Sequence, residues 1–497
     1  MLKNIIYIAV LFSSWFIASI AMAQDSAMIC ETINSQTLSG GVITDTEFVE
    51  AGSFKLPAGV VPRSFDDYPS LRAFCRISGV LSPTAGSNIR IELWMPAENW
   101  NNKLVAVGNG GFAGSIIYDA LAEALADGFS AVSTNTGHEG GDPGFLLNDE
   151  QLTDFAHRAI HEMTVAAKSL TESYYSMPPR FTYFNGCSTG GRQALTAAQR
   201  YPNDFDAIVA GAPANSTVRM TMQQLWNSRV VNDTPELDLS AQEFLILNSN
   251  VLEACDELDG LRDAIIVNPA ACIIEPSSIA GLSELEIEAI DQIYQGAVNP
   301  ESGDVIYPGF AKGSELGWVA VVNRQPFAYS KVMQSYVVNQ DLDWDFMTLN
   351  FAKDLSAVDE RINELGIQAV DPDINDFINN GGKLLLYHGW NDPLISPFNS
   401  INYYNEVLAT VSSSAAGSVR LFMMPGVNHC QGGIGFDTWN KLHTIDSWRE
   451  SGEAPEQINA VHLENEIEST RPLCAYPQVA IYTTGADASD AASFRCQ

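Results

Sequence analysis

Short apolar runs alternate with segments of helical spacing along the first part of the chain. The runs rich in Val, Ile, Leu and Phe predict strands at 88–94, 103–107, 129–133, 180–184 and 207–210. The segments with helical spacing predict helices at 120–127, 156–175 and 189–200. Strands that alternate with helices in this way favour a mostly parallel sheet covered on both faces.

The alternation then stops. From about 215 to 370 the sequence predicts helices and loops, with many acidic and aromatic residues and no strand–helix alternation. Two later apolar runs, 383–387 and 419–423, predict that the sheet resumes. We therefore expect an α/β core in two parts, 24–214 and 371–497, interrupted by an inserted domain at 215–370.

The N-terminus has the features of an export signal. Lys3 precedes an apolar run at 5–20, and an A-x-A site ends at Ala23. This order predicts a secretory signal peptide over 1–23, cleaved near Ala23. The run is too short for a good membrane anchor. We therefore expect a secreted or periplasmic protein that is not held in a membrane.

Composition and charge narrow the classes of partner. Apolar residues make up 46% of the chain and charged residues 17%, as in globular proteins. Sixty acidic against 26 basic side chains give a formal net charge of -34, which should repel nucleic acid. Eight cysteines in an exported chain predict four disulfide bonds, although their number alone does not fix the pairing.

The strongest chemical motif is G-x-S-x-G, which residues 186–190 match between a predicted strand and a predicted helix. In that setting a sharp turn exposes Ser188 as a nucleophile, and the helix N-terminus faces the developing oxyanion. The expected N–H donors to the oxyanion are Thr189 and Gly110, with Gly111 as the alternative to Gly110. The competing interpretation is an ordinary strand–helix turn.

A base and an acid should follow the nucleophile in the order acid, then histidine. His429 lies in a loop after the last strong predicted strand, where the base is required. Asp392 follows the strand predicted at 383–387, and its task is to accept the His429 Nδ1–H. His388 is set aside as the base because it precedes this acid. For Asp392 the alternative role is to cap the turn before Pro393.

Two cysteines stand directly beside the expected nucleophile and base. If Ser188 and His429 share a hydrogen bond, Cys187 and Cys430 come close together. In an oxidising compartment such a pair is expected to form a disulfide bond.

An acidic loop is the second informative stretch. Asp256, Asp259 and Asp263 surround a glycine between Cys255 and Cys272. Such carboxylates can offer oxygen ligands to Ca²⁺, although the spacing is not that of an EF-hand. A solvated acidic turn is the alternative.

The chain resembles the tannase and feruloyl esterase family over nearly all of its expected mature length. The segments that carry the resemblance are 186–193, 201–206, 211–213, 255–263, 388–392 and 428–430. The resemblance implies an α/β-hydrolase core with a large inserted lid domain. It also implies a Ser188–His429–Asp392 triad, with the cysteines beside the serine and the histidine joined.

The resemblance further implies a structural Ca²⁺ in the lid. Its ligands would be the side chains of Asp256, Asp259 and Asp263 and the carbonyls of Leu261 and Ile265. The remaining disulfide bonds implied are Cys30–Cys75, Cys255–Cys272 and Cys474–Cys496.

The expected function is that of a secreted serine carboxylic-ester hydrolase whose partner is a small aromatic ester, such as a feruloyl or galloyl ester. The natural ester and the oligomeric state stay open. Lid side chains that can stack on an aromatic ring are Trp226, Trp318, Phe327, Trp344 and Phe346, with a place in the lid core as the alternative for most of them. Arg324 can receive a carboxylate, with a surface ion pair as the alternative. The alternatives are an acyltransferase or peptidase on the same core, or a non-catalytic ligand-binding relative.

Overall fold

The computed structural model describes residues 26–497 except 63, 66, 276–278, 414, 465–466 and 484. The expected signal peptide lies outside these residues. No helix within the described part is long and apolar enough to cross a membrane. The chain forms two compact units: the first contains residues through Val107, Ala113–Asp142 and Thr153–Phe184, and the second contains Gly108–Phe112, Pro143–Leu152 and Asn185–Gln497.

The described strands and helices have the following bounds. The strands are β1 (Gly41–Val49), β2 (Phe74–Leu81), β3 (Ile89–Pro96), β4 (Lys103–Val107), β5 (Ser130–Thr134), β6 (Phe181–Cys187), β7 (Ala207–Gly211), β8 (Gly296–Val298), β9 (Val305–Pro308), β10 (Lys383–Gly389), β11 (Val419–Met424), β12 (Gln457–Glu464), β13 (Ile467–Cys474), β14 (Ala480–Tyr482) and β15 (Phe494–Cys496). The α-helices are α1 (26–33), α2 (Tyr118–Ala126), α3 (Asp149–Thr153), α4 (Ala159–Tyr175), α5 (Thr189–Arg200), α6 (Thr217–Asn232), α7 (Ala241–Cys255), α8 (Glu284–Gln295), α9 (Ala328–Val332), α10 (Leu355–Glu364), α11 (Asn375–Asn379), α12 (Pro397–Thr410) and α13 (Lys441–Ser451).

The first unit contains a mixed sheet with the strand order β1-β2-β3-β5-β4. The β1–β2, β2–β3 and β3–β5 pairs are antiparallel, and β4–β5 is parallel. The sequence predicted β3, β4 and β5. It did not predict β1 and β2. In β1 only Val49 is buried, and the strand carries Thr, Asp and Glu in place of an apolar run.

The second unit contains three parallel strands in the order β7-β10-β11. Leu385 in the central strand pairs with Val209 on one side and Arg420 on the other. Nearly every position of the three strands is buried. Continuous apolar runs of this kind are typical of parallel strands covered on both faces, as the sequence predicted. Loops that leave β10 and β11 at their carboxyl ends carry Asp392 and His429.

Residues 215–370 belong to the second unit and are mainly helical, from α6 to α10, with one small antiparallel pair, β8–β9. They have a hydrophobic cluster of their own around Phe244, Ile290 and Trp318. The boundaries of an inserted domain at 215–370 stay a prediction.

Four disulfide bonds join the eight cysteines in the expected pairs. They are Cys30–Cys75, Cys187–Cys430, Cys255–Cys272 and Cys474–Cys496.

The start of α5 packs against β7 with no room for a side chain. A Cβ added at Gly191 would lie 2.3 Å from the carbonyl oxygen of Gly211 and 2.8 Å from the Cα of Pro213. Both neighbours are backbone atoms, which cannot move aside as a flexible side chain can. Glycine at this position therefore lets the helix that follows the G-x-S-x-G motif lie directly on β7.

Replacing Gly191 with alanine should lower the midpoint of thermal unfolding, because overpacking of this kind costs about 1–3 kcal/mol. Gly417→Ala is the matched control, since a Cβ there meets no atom within 4 Å. Circular dichroism during heating measures both midpoints. Equal midpoints for the two variants would contradict the close packing.

Candidate active site

Ser188 lies at a sharp turn between β6 and α5, with φ 63° and ψ -120°. A positive φ is uncommon for a residue other than glycine and marks local strain that the surroundings must hold. The Ser188 N–H donates to the carbonyl of Gly211 at 3.0 Å. The Ser188 carbonyl accepts from the N–H groups of Arg192 and Ala214 at 3.0 and 3.1 Å. The backbone on both sides of the turn is therefore fixed.

Asp392 is fully buried in the turn after β10. Its Oδ1 accepts hydrogen bonds from the backbone N–H groups of Leu394 and Ile395, at 2.8 and 3.0 Å. Its Oδ2 lies 2.6 Å from Nδ1 of His429, in the loop after β11. The structure therefore brings together the acid and the base that the sequence predicted.

Charges and burial set the protonation of this pair. Burial alone would raise the pKa of Asp392. The charge of His429 and the hydrogen bonds from His388 and His429 outweigh burial and hold that pKa well below its ordinary range. Burial alone would lower the pKa of His429, but the charge and hydrogen bond of Asp392 raise it above the usual value of about 6.5. An ionised Asp392 thus supports His429 as a proton acceptor.

A second histidine contacts the same carboxylate. Nε2 of His388 lies 3.0 Å from Oδ2 of Asp392, and the His388 side chain is fully buried. The order of the residues excluded His388 as the base, and this contact was not predicted from the sequence. The four-residue spacing between His388 and Asp392, across the turn that ends a strand, was the available signal.

A disulfide bond joins the residues beside the serine and the histidine. Cys187 and Cys430 are 243 positions apart, with their sulfurs 2.04 Å and their Cα atoms 6.0 Å apart. Consecutive Cα atoms are about 3.8 Å apart. Ser188 and His429 therefore each stand one residue from a bridge that holds their two loops together, as the sequence predicted.

The glycine-rich loop after β4 is fastened to the beginning of α5. Oγ1 of Thr189 donates to the carbonyl of Gly111 at 2.7 Å. The Asn109 N–H donates to Oε1 of Gln193 at 3.0 Å, and Nε2 of Gln193 returns a hydrogen bond to Oδ1 of Asn109 at 3.2 Å. A Cβ at Gly110 would meet no atom within 4 Å, so space is open beside the loop. The roles of the Thr189 and Gly110 N–H groups stay predictions.

Two rings lie against the residue that follows this loop. Phe112 stacks on Tyr329 with ring centroids 4.5 Å apart, and Phe145 meets Phe112 edge-on at 6.2 Å. No sequence motif marked these three residues, which come from separate segments of the chain. They add apolar aromatic surface next to the glycine-rich loop.

Some aromatic residues singled out from the sequence lie elsewhere. Trp318 is fully buried in the hydrophobic cluster of residues 215–370, edge-on to Phe244. Trp226 and Phe327 pack against the same cluster. Trp344 is half-buried, as is Phe346. The structure thus makes Trp318 a core residue and not a surface for a ring.

Arg324 contacts the backbone of residues 231–237. Its guanidinium donates to the carbonyls of Val231, Pro235 and Leu237 at 2.9–3.0 Å. A role for Arg324 toward a substrate carboxylate stays a prediction.

The acidic loop is organised by its own carboxylates. Asp256 accepts the backbone N–H groups of Asp263 and Ala264 at 3.3 and 3.0 Å. Asp263 forms an ion pair with Arg471 at 2.7 Å. No group of three or more His, Cys, Asp or Glu side chains placed to hold a metal is found in the described ranges.

Asp259 differs from its neighbours in the loop. It is 1% exposed, its Oδ1 accepts the Leu261 N–H, and its buried Oδ2 has no hydrogen-bond partner among the described residues. Burial raises the pKa of this carboxyl to about 6. An unpaired buried carboxylate is unfavourable unless a cation or donor approaches it, and Ca²⁺ takes carboxylate and carbonyl oxygens. A hard cation at Asp259 would satisfy this oxygen, and the calcium site stays a prediction.

The fold and the site together define the class of protein. A serine between a strand and a helix, followed along the chain by an aspartate and then a histidine after later strands, is typical of α/β-hydrolases. The chain is an α/β-hydrolase. The family described as tannase and feruloyl esterase matches residues 75–497, and the chain belongs to that family.

Similar proteins agree with this assignment. An uncharacterized esterase of Xanthomonas campestris is 30% identical over 97% of this chain and 93% of its own. A probable feruloyl esterase B-2 of Aspergillus fumigatus is 34% identical over 85% of this chain and 86% of its own. The crystal structure of feruloyl esterase B from Aspergillus oryzae matches with a TM-score of 0.86 and 28% identity, covering 95% of this chain and all of that one. The protein is a carboxylic ester hydrolase.

The loss of activity on the acid side of the pH profile should reflect protonation of His429. Because Asp392 raises the pKa of His429, kcat/KM for ester hydrolysis should fall below an apparent pKa higher than about 6.5. Asp392→Asn removes the charge that raises this pKa, so the acid limb should move to lower pH, with kcat reduced on the order of 10⁴-fold.

Steady-state kinetics from pH 4 to pH 9 measure both effects. Glu253→Gln, at an exposed position on α7, is the control for the loss of one negative charge. If Asp392→Asn leaves the acid limb at the same pH, Asp392 does not set the pKa of His429.

Proposed function

We propose that the protein is a secreted serine esterase that hydrolyses esters of aromatic acids through Ser188, His429 and Asp392. The observation that carries this proposal is the 2.6 Å contact from His429 Nδ1 to Asp392, in a loop bridged to the turn of Ser188 by a disulfide bond. A serine, a histidine and an ionised aspartate are the groups that nucleophilic acyl transfer requires.

The reaction proceeds in two steps. In the first, Nε2 of His429 takes the proton of the Ser188 hydroxyl while Oγ attacks the ester carbonyl carbon. The N–H groups of Thr189 and Gly110 hold the oxyanion. The C–O bond to the alcohol then breaks, the alcohol leaves with the proton from His429, and the acyl group stays on Ser188.

In the second step water replaces the alcohol. His429 takes a proton from the water molecule, whose oxygen attacks the acyl carbon. The bond to Ser188 breaks, the proton returns to its Oγ, and the carboxylic acid is released. Asp392 stays ionised throughout and stabilises the imidazolium form of His429.

The aromatic substrate class rests on two supports. Several relatives are named feruloyl esterases. Phe112 and Tyr329 present stacked rings beside the loop that carries Gly110, and aromatic acids can pack on such surfaces. Feruloyl and galloyl esters both fit this chemistry.

Secretion is supported by cysteine chemistry and by the relatives. Four disulfide bonds are typical of proteins that fold in an oxidising compartment, and fungal feruloyl esterases are among the relatives. We infer that residues 1–23 direct export and are removed near Ala23.

We also propose that the acidic loop holds a structural Ca²⁺, with Asp256, Asp259 and Asp263 as carboxylate ligands and Leu261 and Ile265 as carbonyl ligands. The buried, unpartnered Oδ2 of Asp259 supports this proposal. The cation would neutralise repulsion in a loop that the Cys255–Cys272 bond closes, and it takes no part in the two steps above.

Ser188→Ala should abolish ester turnover, on the order of a 10⁶-fold loss, while leaving the thermal midpoint nearly unchanged. Kinetics with methyl ferulate, methyl gallate, an aliphatic ester and a peptide amide measure the loss and the substrate class. Labelling by a fluorophosphonate should disappear in the same variant. Ser451→Ala, at an exposed position on α13, is the control.

Retained activity in Ser188→Ala would end the proposal. Amide cleavage faster than ester cleavage would favour the peptidase alternative, and transfer to an added alcohol in preference to water would favour the acyltransferase. An aliphatic ester hydrolysed as fast as the aromatic esters would remove the aromatic substrate class.

Chelation of calcium should lower the thermal midpoint of the full-length mature protein, and added Ca²⁺ should restore it. Binding to the folded state alone stabilises by about 2.7 kcal/mol at a hundredfold excess over Kd. Asp259→Asn should abolish the calcium dependence of the midpoint. Glu257→Gln, at an exposed position in the same loop, should keep it. A midpoint that chelator does not change would make the loop an acidic turn only.

A further inference from the structure

His388 makes polar contacts in two directions from a fully buried position at the end of β10. Its Nε2 lies 3.0 Å from Oδ2 of Asp392 and 3.1 Å from the carbonyl oxygen of Ile395. Its Nδ1 lies 2.7 Å from Oγ of Ser400, on α12. Three partners on two elements therefore fix the plane of the ring.

These partners determine where the proton of His388 resides. Both partners of Nε2 are oxygen acceptors, so Nε2 must carry the hydrogen. The hydroxyl of Ser400 can donate or accept, so Nδ1 needs no hydrogen of its own and a neutral imidazole satisfies every contact. The ring is thus a fixed donor aimed at Asp392.

We propose that His388 is a positioning residue of the triad. Its neutral imidazole donates from Nε2 to Oδ2 of Asp392, the oxygen that also receives Nδ1–H of His429. The donation fixes the orientation of the carboxylate and moderates its attraction for His429. This inference rests on the proposed function and concerns the acid–base pair alone.

The four donors around Asp392 explain the orienting effect. Leu394 and Ile395 hold Oδ1, while His388 and His429 hold Oδ2. If the His388 donor were lost, Oδ2 would be anchored only by the histidine that must itself gain and lose a proton. The carboxylate could then turn with the charge state of His429, and the direction of the base would vary.

The same contact affects the strength of the base. A carboxylate oxygen that shares its charge with a second donor attracts an imidazolium less strongly. His388 therefore keeps His429 from becoming too basic to be unprotonated near neutral pH. Another titratable neighbour of Asp392 is Tyr307 on β9, whose pKa is raised well above its ordinary range by burial and by the charge of Asp392. Its phenol is neutral in the working range.

The test compares two amide substitutions at one position. His388→Gln places its amide N–H near the position of Nε2 and can still donate to Asp392. His388→Asn places its amide near the position of Nδ1, where it meets Ser400 but not Asp392. The two variants are similarly polar, so the difference between them isolates the donor. Ser400→Ala is a further control, because Asp392 and Ile395 still require Nε2–H when the hydroxyl is gone.

Kinetics with methyl ferulate between pH 4 and pH 9 and thermal midpoints are measured for every variant. We expect His388→Asn to lose 10–100-fold in kcat, on the order seen when the partner that orients a functional side chain is removed. KM should stay nearly constant, and the acid limb of kcat/KM should move to higher pH. His388→Gln should recover most of kcat with the acid limb of the wild type, and Ser400→Ala should keep the wild-type acid limb because Nε2–H still donates to Asp392.

Three results would overturn the inference. The first is an unchanged kcat and acid limb in His388→Asn. The second is an equal loss of kcat in His388→Asn and His388→Gln. The third is a lower thermal midpoint in His388→Asn with an unmoved acid limb, which is the result expected if His388 only packs. Ser188→Ala, assayed in parallel, separates this inference from the proposed function. An active Ser188→Ala defeats the proposed function, whereas an inactive one beside a normal His388→Asn defeats only the role of His388.

Discussion

The burial of one ionised carboxylate constrains the whole site. Asp392 has no exposed surface, and a buried charge is tolerated only when its oxygens are hydrogen-bonded or paired. Two backbone N–H groups and two imidazoles meet that requirement. The turn after β10 and the loop after β11 must both reach this carboxylate. His429 therefore stabilises the buried charge of Asp392 in addition to its role in the chemistry.

The Cys187–Cys430 bond adds a covalent constraint on the loop that carries His429. The hydrogen bond to Asp392 fixes the imidazole ring, and the disulfide bond fixes the backbone next to it. Ser188 needs such support because its positive φ is unfavourable and must be held by neighbouring structure. Hydrogen bonds to Gly211 and Ala214 and the close contact of Gly191 with β7 supply the rest.

The family resemblance implied three of the four disulfide bonds. Sequence patterns predicted the parallel strands, the turn of Ser188, Asp392, His429 and the Cys187–Cys430 bond. These features have local signals: buried parallel strands are continuous apolar runs, and the residues at the turn follow from steric limits there. Strand β1 and the pair Phe112–Tyr329 lacked such signals, and the contact of His388 with Asp392 had only a four-residue spacing to indicate it. A strand with a single buried position has no apolar run, and the stacked rings depend on which distant segments meet.

Residues 215–370 hydrogen-bond the segment that carries the buried acid. Nδ2 of Asn391 donates to the carbonyl of Gly313 at 2.8 Å, and Oγ of Ser396 donates to that of Gly309 at 2.6 Å. Nε2 of Gln224 donates to the carbonyl of Leu394 at 2.7 Å. The N–H of the same Leu394 donates to Oδ1 of Asp392. Disorder in residues 215–370 would therefore displace Leu394 and, with it, a hydrogen bond to the carboxylate. Order in residues 215–370 is thus a condition for the acid–base pair itself.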